Sequence, residues 1–135
     1  MNYWSITDSN RANFNGKNFE DLISTFLIEK NINFQKEYLS TNMGIYNTKL
    51  RFDFYLPDLD IVIEAKFQNS PGTVDEKYPY LFENMKSINK KVLIVYGGGK
   101  ARPGAISWLK NKCMENDQIE LFTFDEMCNY FEGLL

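Results

Sequence analysis

Apolar residues recur at three- and four-residue spacing between Asn15 and Lys30, where Phe19, Leu22, Ile23, Phe26 and Leu27 form one stripe. That period predicts a helix with a core-facing side, capped by Asn15 or Asn18. Asn31 to Ser40 then reads as a first strand, imperfectly alternating, with Ile32, Phe34 and Leu39 available for burial. The alternation becomes strict from Lys49 to Leu56. A strand there sets Phe52, Phe54 and Leu56 on one face and Arg51, Asp53 and Tyr55 on the other. Pro57, Asp58 and Asp60 supply a turn. The following strand, Ile61 to Gln68, alternates Ile61, Ile63, Ala65 and Phe67 with Val62, Glu64, Lys66 and Gln68. Lys91 to Tyr96 is a continuous apolar run, as expected of a central strand covered on both faces.

Between these strands, Asn69 to Gly72 reads as a turn and Thr73 as a cap. Val74 to Ile88 has helical character interrupted by Pro79. A glycine-rich stretch, 97–104, leads into a helix ending near Met114, with Trp108 and Leu109 expected to pack it on the sheet. A strand from Ile119 to Phe124 and a helix from Asp125 to about Phe131 close the chain, with Leu121, Phe122, Met127, Tyr130 and Phe131 as core or interface residues. The element order is α, three β, α, β, α, β, α, which predicts one α/β domain with a central mixed sheet flanked by helices. Residues 1–14 are polar apart from Tyr3, Trp4 and Ile6, and read as an arm ahead of a domain over 15–135. A chain of 135 residues with 44% apolar content can bury one core. No window approaches the roughly 20 apolar residues of a membrane span, and the N-terminus lacks the pattern of a secretory signal, so a cytoplasmic protein without membrane contact is expected.

Histidine is absent from the chain, which excludes Ser-His-Asp and Cys-His nucleophiles and zinc sites built on histidine. Cys113 and Cys128 are too few and too far apart for a recognised metal motif and read as small apolar residues. The chemistry therefore rests on carboxylates, lysines and hydroxyls. Asp53 and Glu64 fall on neighbouring strands facing the same way, with Lys66 beside them, and two buried acids at short range repel unless a cation neutralises them. Hard oxygen ligands suit magnesium, and a lysine on the same face can activate a water or balance charge on a phosphate under attack. The net charge of −3 weighs against a nucleic-acid partner, although an acidic metal pocket accounts for part of it.

Asp53 followed eleven residues later by Glu64-Ala65-Lys66 resembles the PD-(D/E)xK nuclease superfamily, and Gln68 extends the pattern to E-x-K-x-Q. Phe52 stands where that motif has its proline. The resemblance implies a restriction-endonuclease-like core of helix, three antiparallel strands, helix and strand. It also implies a metal-dependent endonuclease acting on DNA, with Mg2+ as cofactor and Mn2+ able to substitute. Asp53 and Glu64 would hold the metal, with the carbonyl of Ala65 and with Glu20 from the first helix. Lys66 would orient or deprotonate the water, and Gln68 would position the lysine or the scissile phosphate. The run Gly72-Thr73-Val74-Asp75-Glu76-Lys77 matches one carried by some relatives, which makes Lys77 a candidate DNA contact. One site cuts one strand, so cleaving a duplex calls for a homodimer or a higher homo-oligomer.

Lys100 and Arg102 sit in a glycine-rich turn at a helix N-terminus, where backbone N–H groups can hold a phosphate; as a plain connector the same turn needs no ligand. Two other readings share this sequence. One is a non-catalytic nucleic-acid or protein-binding module on the nuclease fold, and the other is a nuclease directed at RNA.

Overall fold

A computed structural model of the protein describes residues 14–44, 46–68, 78–99 and 103–135. The described elements are α1 (Gly16–Glu29), β1 (Gln35–Met43), β2 (Lys49–Leu56), β3 (Ile61–Phe67), α2 (Tyr78–Lys86), β4 (Lys91–Gly97), α3 (Pro103–Met114), β5 (Ile119–Thr123) and α4 (Phe124–Leu134). Their order is the one the sequence pattern predicts. The expected N-terminal arm with Tyr3, Trp4 and Ile6, and the turn and cap expected over 69–73, lie outside the described residues.

The five strands form one sheet in the order β1-β2-β3-β4-β5. β1, β2 and β3 pair antiparallel, whereas β3, β4 and β5 run parallel. This is a mixed sheet with helices on both faces, consistent with a restriction-endonuclease-like core. Phe19, Leu22, Ile23, Phe26 and Leu27 of α1 and Met127 and Phe131 of α4 pack with Phe54, Leu56, Ile61, Ile63, Leu93 and Val95 on one face. Tyr78, Phe82 and Met85 of α2 and Leu109 and Cys113 of α3 pack with Phe52, Val62, Val92, Ile94 and Ile119 on the other. β4 thus contributes alternately to both cores, which is why KVLIVY carries no polar residue in its middle.

Local chemistry sets the helix starts. Asn15 and Asn18 act together: the Asn18 N–H donates to Asn15 Oδ1 at 3.1 Å and the Asn15 N–H to Asn18 Oδ1 at 3.0 Å, a reciprocal box at the head of α1. Thr123 and Glu126 build the same box for α4, at 3.2 and 2.9 Å. Pro79 is the second residue of α2 rather than an interruption, because in the first turn no preceding carbonyl meets its ring.

Three expectations are corrected. β1 begins at Gln35, so Ile32 and Phe34 pack ahead of the strand and Leu39 is exposed. Trp108 is partly exposed and sits edge-on to Phe82 of α2 at 6.2 Å, leaving Leu109 to anchor α3 on the sheet. The alternation in β2 breaks: Phe52 belongs to one core and Phe54 to the other. No helix among the described residues is long and apolar enough to cross a membrane.

Candidate active site

The break in β2 marks the site. β2 and β3 pair only at Leu56–Ile61, Tyr55–Val62 and Phe54–Ile63, although β2 extends back to Lys49 and β3 onward to Phe67. Beyond Phe54 the two strands part and form a fork. Opposite Asp53, between the pairs Lys36–Phe54 and Tyr38–Phe52, Glu37 adopts a left-handed φ of 56°. A non-glycine residue there costs about 1 kcal/mol, and at this level of the sheet Phe52 and Phe54, two residues apart on β2, belong to opposite cores.

Carboxylates take over the hydrogen bonds that the ladder gives up in the fork. The Ala65 N–H donates to Asp53 Oδ2 at 2.7 Å, and the Asp53 N–H in turn donates to the Glu64 carboxylate. A residue in a strand directs its N–H and C=O toward the same neighbour, so the Ala65 carbonyl addresses the fork as well. Asp53, Glu64 and Ala65 are therefore gathered by backbone geometry rather than by chance proximity of flexible side chains.

The Glu64 side chain is only 13% exposed, and its carboxyl hydrogen-bonds that of Asp53. Burial first, then the bond to Asp53 and its charge, push the Glu64 carboxyl up to about 9. Lys66 Nζ lies 3.6 Å from Glu64 Oε2 and opposes the shift without cancelling it. Burial and the Asp53 carboxyl beside it thus favour the protonated form of Glu64. The charge of a divalent cation would relieve the repulsion between these two carboxyls, and a donor set of two carboxylates and a carbonyl suits a hard ion.

Glu20 approaches this group from α1. Its carboxyl is raised by burial and then by the charge of Asp53, with Lys36 of β1 acting in the other direction. Among the described residues, however, no group of three or more Asp, Glu or Cys side chains is placed to hold a metal ion. Glu20 is electrically coupled to the pair without closing around it.

A cleft of about 450 Å³ opens over Glu64 and Lys66 on the α2 side, with Arg51, Tyr78 and Tyr80 in its wall. These three residues are absent from the motif. Arg51 stands two places before Asp53, a signal available from sequence; the tyrosines are brought there only by the packing of α2. The Gln68 side chain is buried, and among the described residues neither its amide nitrogen nor its oxygen has a partner. Gly98 closes this corner with a φ of 96°, so near that a Cβ would run into the Gln68 carbonyl, while the Gln68 N–H donates to the Gly97 carbonyl at 3.0 Å. Lys77, Lys100 and Arg102, the expected nucleic-acid contacts, lie outside the described residues. Cys113 and Cys128 are unpaired thiols pushed by burial up to about 11 and about 12, so they remain protonated and take no part as nucleophiles.

The fork accounts for the spacing of Asp53 and Glu64-Ala65-Lys66, and the sheet order accounts for the elements around them. No curated protein and no solved structure matches the chain. A family model described as the PD-(D/E)XK nuclease superfamily domain matches residues 8–131, and by that match over nearly its whole length the chain belongs to the PD-(D/E)XK nuclease superfamily.

Proposed function

We propose that the protein is a magnesium-dependent endonuclease that hydrolyses phosphodiester bonds in DNA, with manganese able to substitute. Proteins of this superfamily are generally nucleases and typically use divalent metals. The observation that carries the reading is the contact between the Asp53 and Glu64 carboxyls at the fork, with Lys66 3.6 Å from Glu64. A purely structural pair of acids has no reason to be held together in a desolvated opening, whereas a phosphodiesterase needs such a pair.

Asp53, Glu64 and the Ala65 carbonyl would hold the cation, which when bound supplies positive charge to the scissile phosphate and makes an attacking water more acidic. Asp53 is fixed for this by the Ala65 N–H, so its oxygen needs little reorganisation. Lys66 orients the water and offsets the negative charge that grows on the phosphate as the new P–O bond forms and the old one breaks. Gln68 brings a buried amide whose nitrogen and oxygen have no partner among the described residues, and a buried amide left unpaired costs about 1–3 kcal/mol. Its proposed partner is Lys66 or a phosphate oxygen. Glu20 acts from further out, through water or by adding negative charge. The duplex is cut by two copies of the chain, one for each strand.

Nicking of supercoiled plasmid tests the proposal. Relaxed and linear products in magnesium or manganese, abolished by chelator and by Asp53→Ala and Lys66→Ala, are the expected result. Binding without cleavage by the wild type and both variants would leave a non-catalytic module, and cleavage of RNA but not of DNA of the same sequence would move the substrate.

A further inference from the structure

The hairpin joining β1 and β2 has a tight tip. The Gly44 N–H donates to the Thr48 carbonyl at 2.8 Å and the Asn47 N–H to the Gly44 carbonyl at 2.9 Å, with Asn47 at a left-handed φ of 58°. The tip is seated against α2: a Cβ on Gly44 would run into the Asn84 side chain and meet Leu50 at 2.8 Å. Held there, Tyr46 stacks on Tyr80, with ring centroids 5.4 Å apart and planes inclined by 29°. Tyr46 is 71% exposed and Tyr80 43% exposed. Only one face of Tyr46 can be spent on Tyr80, so the other is open to solvent.

A stack that merely pinned the hairpin would serve as well covered by its neighbours. This one stands beside the cleft that holds Glu64 and Lys66, since Tyr80 lines that cleft together with Arg51. The Arg51 guanidinium is largely exposed and only 4.0 Å from Glu37 at its nearest approach, which leaves most of its donors facing solvent. An exposed aromatic pair at the rim, a guanidinium in the wall and the Glu64–Lys66 pair are thus gathered about one cleft. That is the composition of a surface for a single strand, where a base lies on the ring and a cation meets the backbone.

We propose that the open face of Tyr46, backed by Tyr80, is a stacking platform for an unpaired nucleobase of the strand whose phosphate enters the cleft. The inference rests on reading the cleft as a phosphodiester site, and it names the preferred substrate: nucleic acid with an unpaired segment beside the cut, such as a flap or a single strand, over closed duplex. An intact duplex cannot use the platform, because both faces of each of its bases are taken by neighbours in the stack.

Fluorescence anisotropy with labelled oligodeoxynucleotides in calcium, with gel analysis showing the strands intact, tests it. The wild type is expected to bind a single strand and a flapped duplex about tenfold more tightly than a dumbbell duplex closed by non-nucleotide linkers. Tyr46→Leu, which keeps an apolar side chain on Tyr80 but removes the ring, should erase that preference. Tyr46→Trp should preserve it and add a fluorescence signal quenched by the single strand. Equal binding of dumbbell and single strand, or an undiminished preference in Tyr46→Leu, overturns the platform. Plasmid cleavage without the preference overturns the platform alone, and the preference without cleavage of plasmid, flap or single strand in magnesium or manganese supports the platform while overturning the nuclease reading.

Discussion

At each end of the β2–β3 hairpin a carboxylate meets a lysine, Lys90 from just before β4 at one end and Lys66 of β3 at the other, and the two pairs differ in almost every respect. At the closed end, Asp60 accepts from Lys90 Nζ and from the Tyr55 hydroxyl, each at 2.8 Å. Its side chain is 59% exposed, and the bonds from Lys90 and Tyr55 hold its carboxyl below the ordinary range. At the forked end, Glu64 is buried against a second carboxylate, with its lysine farther off at 3.6 Å and its carboxyl pushed far up. The same residue types make a satisfied surface ion pair in one place and a frustrated group in the other. The frustrated pair lies toward the C-terminal ends of the parallel strands β3 and β4, where open α/β sheets bind ligands. Asp60 and Lys90 sit at the opposite ends and need nothing further.

Mutating the two ends sharpens this contrast most. Asp53→Ala or Glu64→Ala should lower plasmid cleavage by about a thousandfold or more, because each removes a ligand for the charge that meets the phosphate. Asp60→Ala should leave cleavage rates unchanged. Equal losses at both ends would show that the distinction is false. Lys66→Ala should cost about a hundredfold in kcat, and Lys90→Ala nothing, in the same assay.

Smaller effects follow in stability. In chelator, Glu64→Gln should raise the folding stability at pH 8 by about 2 kcal/mol, read from denaturant midpoints, because a neutral side chain replaces a carboxyl that ionises only at a penalty. The sign of the pH effect follows from the raised value. The folded chain holds the Glu64 proton more tightly than the unfolded chain, so this contribution is fully present below about 4.5 and is lost as pH rises through about 9. Metal-free wild type should therefore weaken across that interval and Glu64→Gln should not. Asp60 behaves in the opposite sense: its lowered carboxyl contributes stability above its ordinary value of 3.8 that is lost as pH falls below it. Asp60→Asn should cost less than about 1 kcal/mol, as befits an exposed pair. Gln68→Leu should gain about 1 kcal/mol by removing an unpaired amide while lowering cleavage about tenfold; loss of stability instead would mean the amide already has a structural partner.

Much of this architecture is legible along the chain. The apolar stripe of α1, the uninterrupted KVLIVY of β4 and the reciprocal caps at Asn15–Asn18 and Thr123–Glu126 are local signals with local causes. What misleads is β2. Its strict alternation places Phe52 and Phe54 on one face, yet they belong to opposite cores, at the level where Glu37 on the neighbouring strand is left-handed. A glutamate carries no sequence mark of that conformation. Leu39 was open to the same error, because a strand's buried side depends on where its kinks fall. The cleft is mixed in this respect: Glu64 and Lys66 share a face by simple period, but Tyr46 and Tyr80 meet only because the hairpin tip seats Gly44 against Asn84.

The sequence by itself determined the element order, the two-sided core and the three motif residues, since these follow from periods of two and 3.6 and from the repulsion of neighbouring acids. Only the tertiary structure decided that β2 and β3 part after Phe54, that Asp53 is clamped by the Ala65 N–H, and that Glu20 stays outside the pair. Those outcomes depend on how strands from distant parts of the chain share hydrogen bonds, and the energy that settles them lies in long-range packing that no local pattern contains.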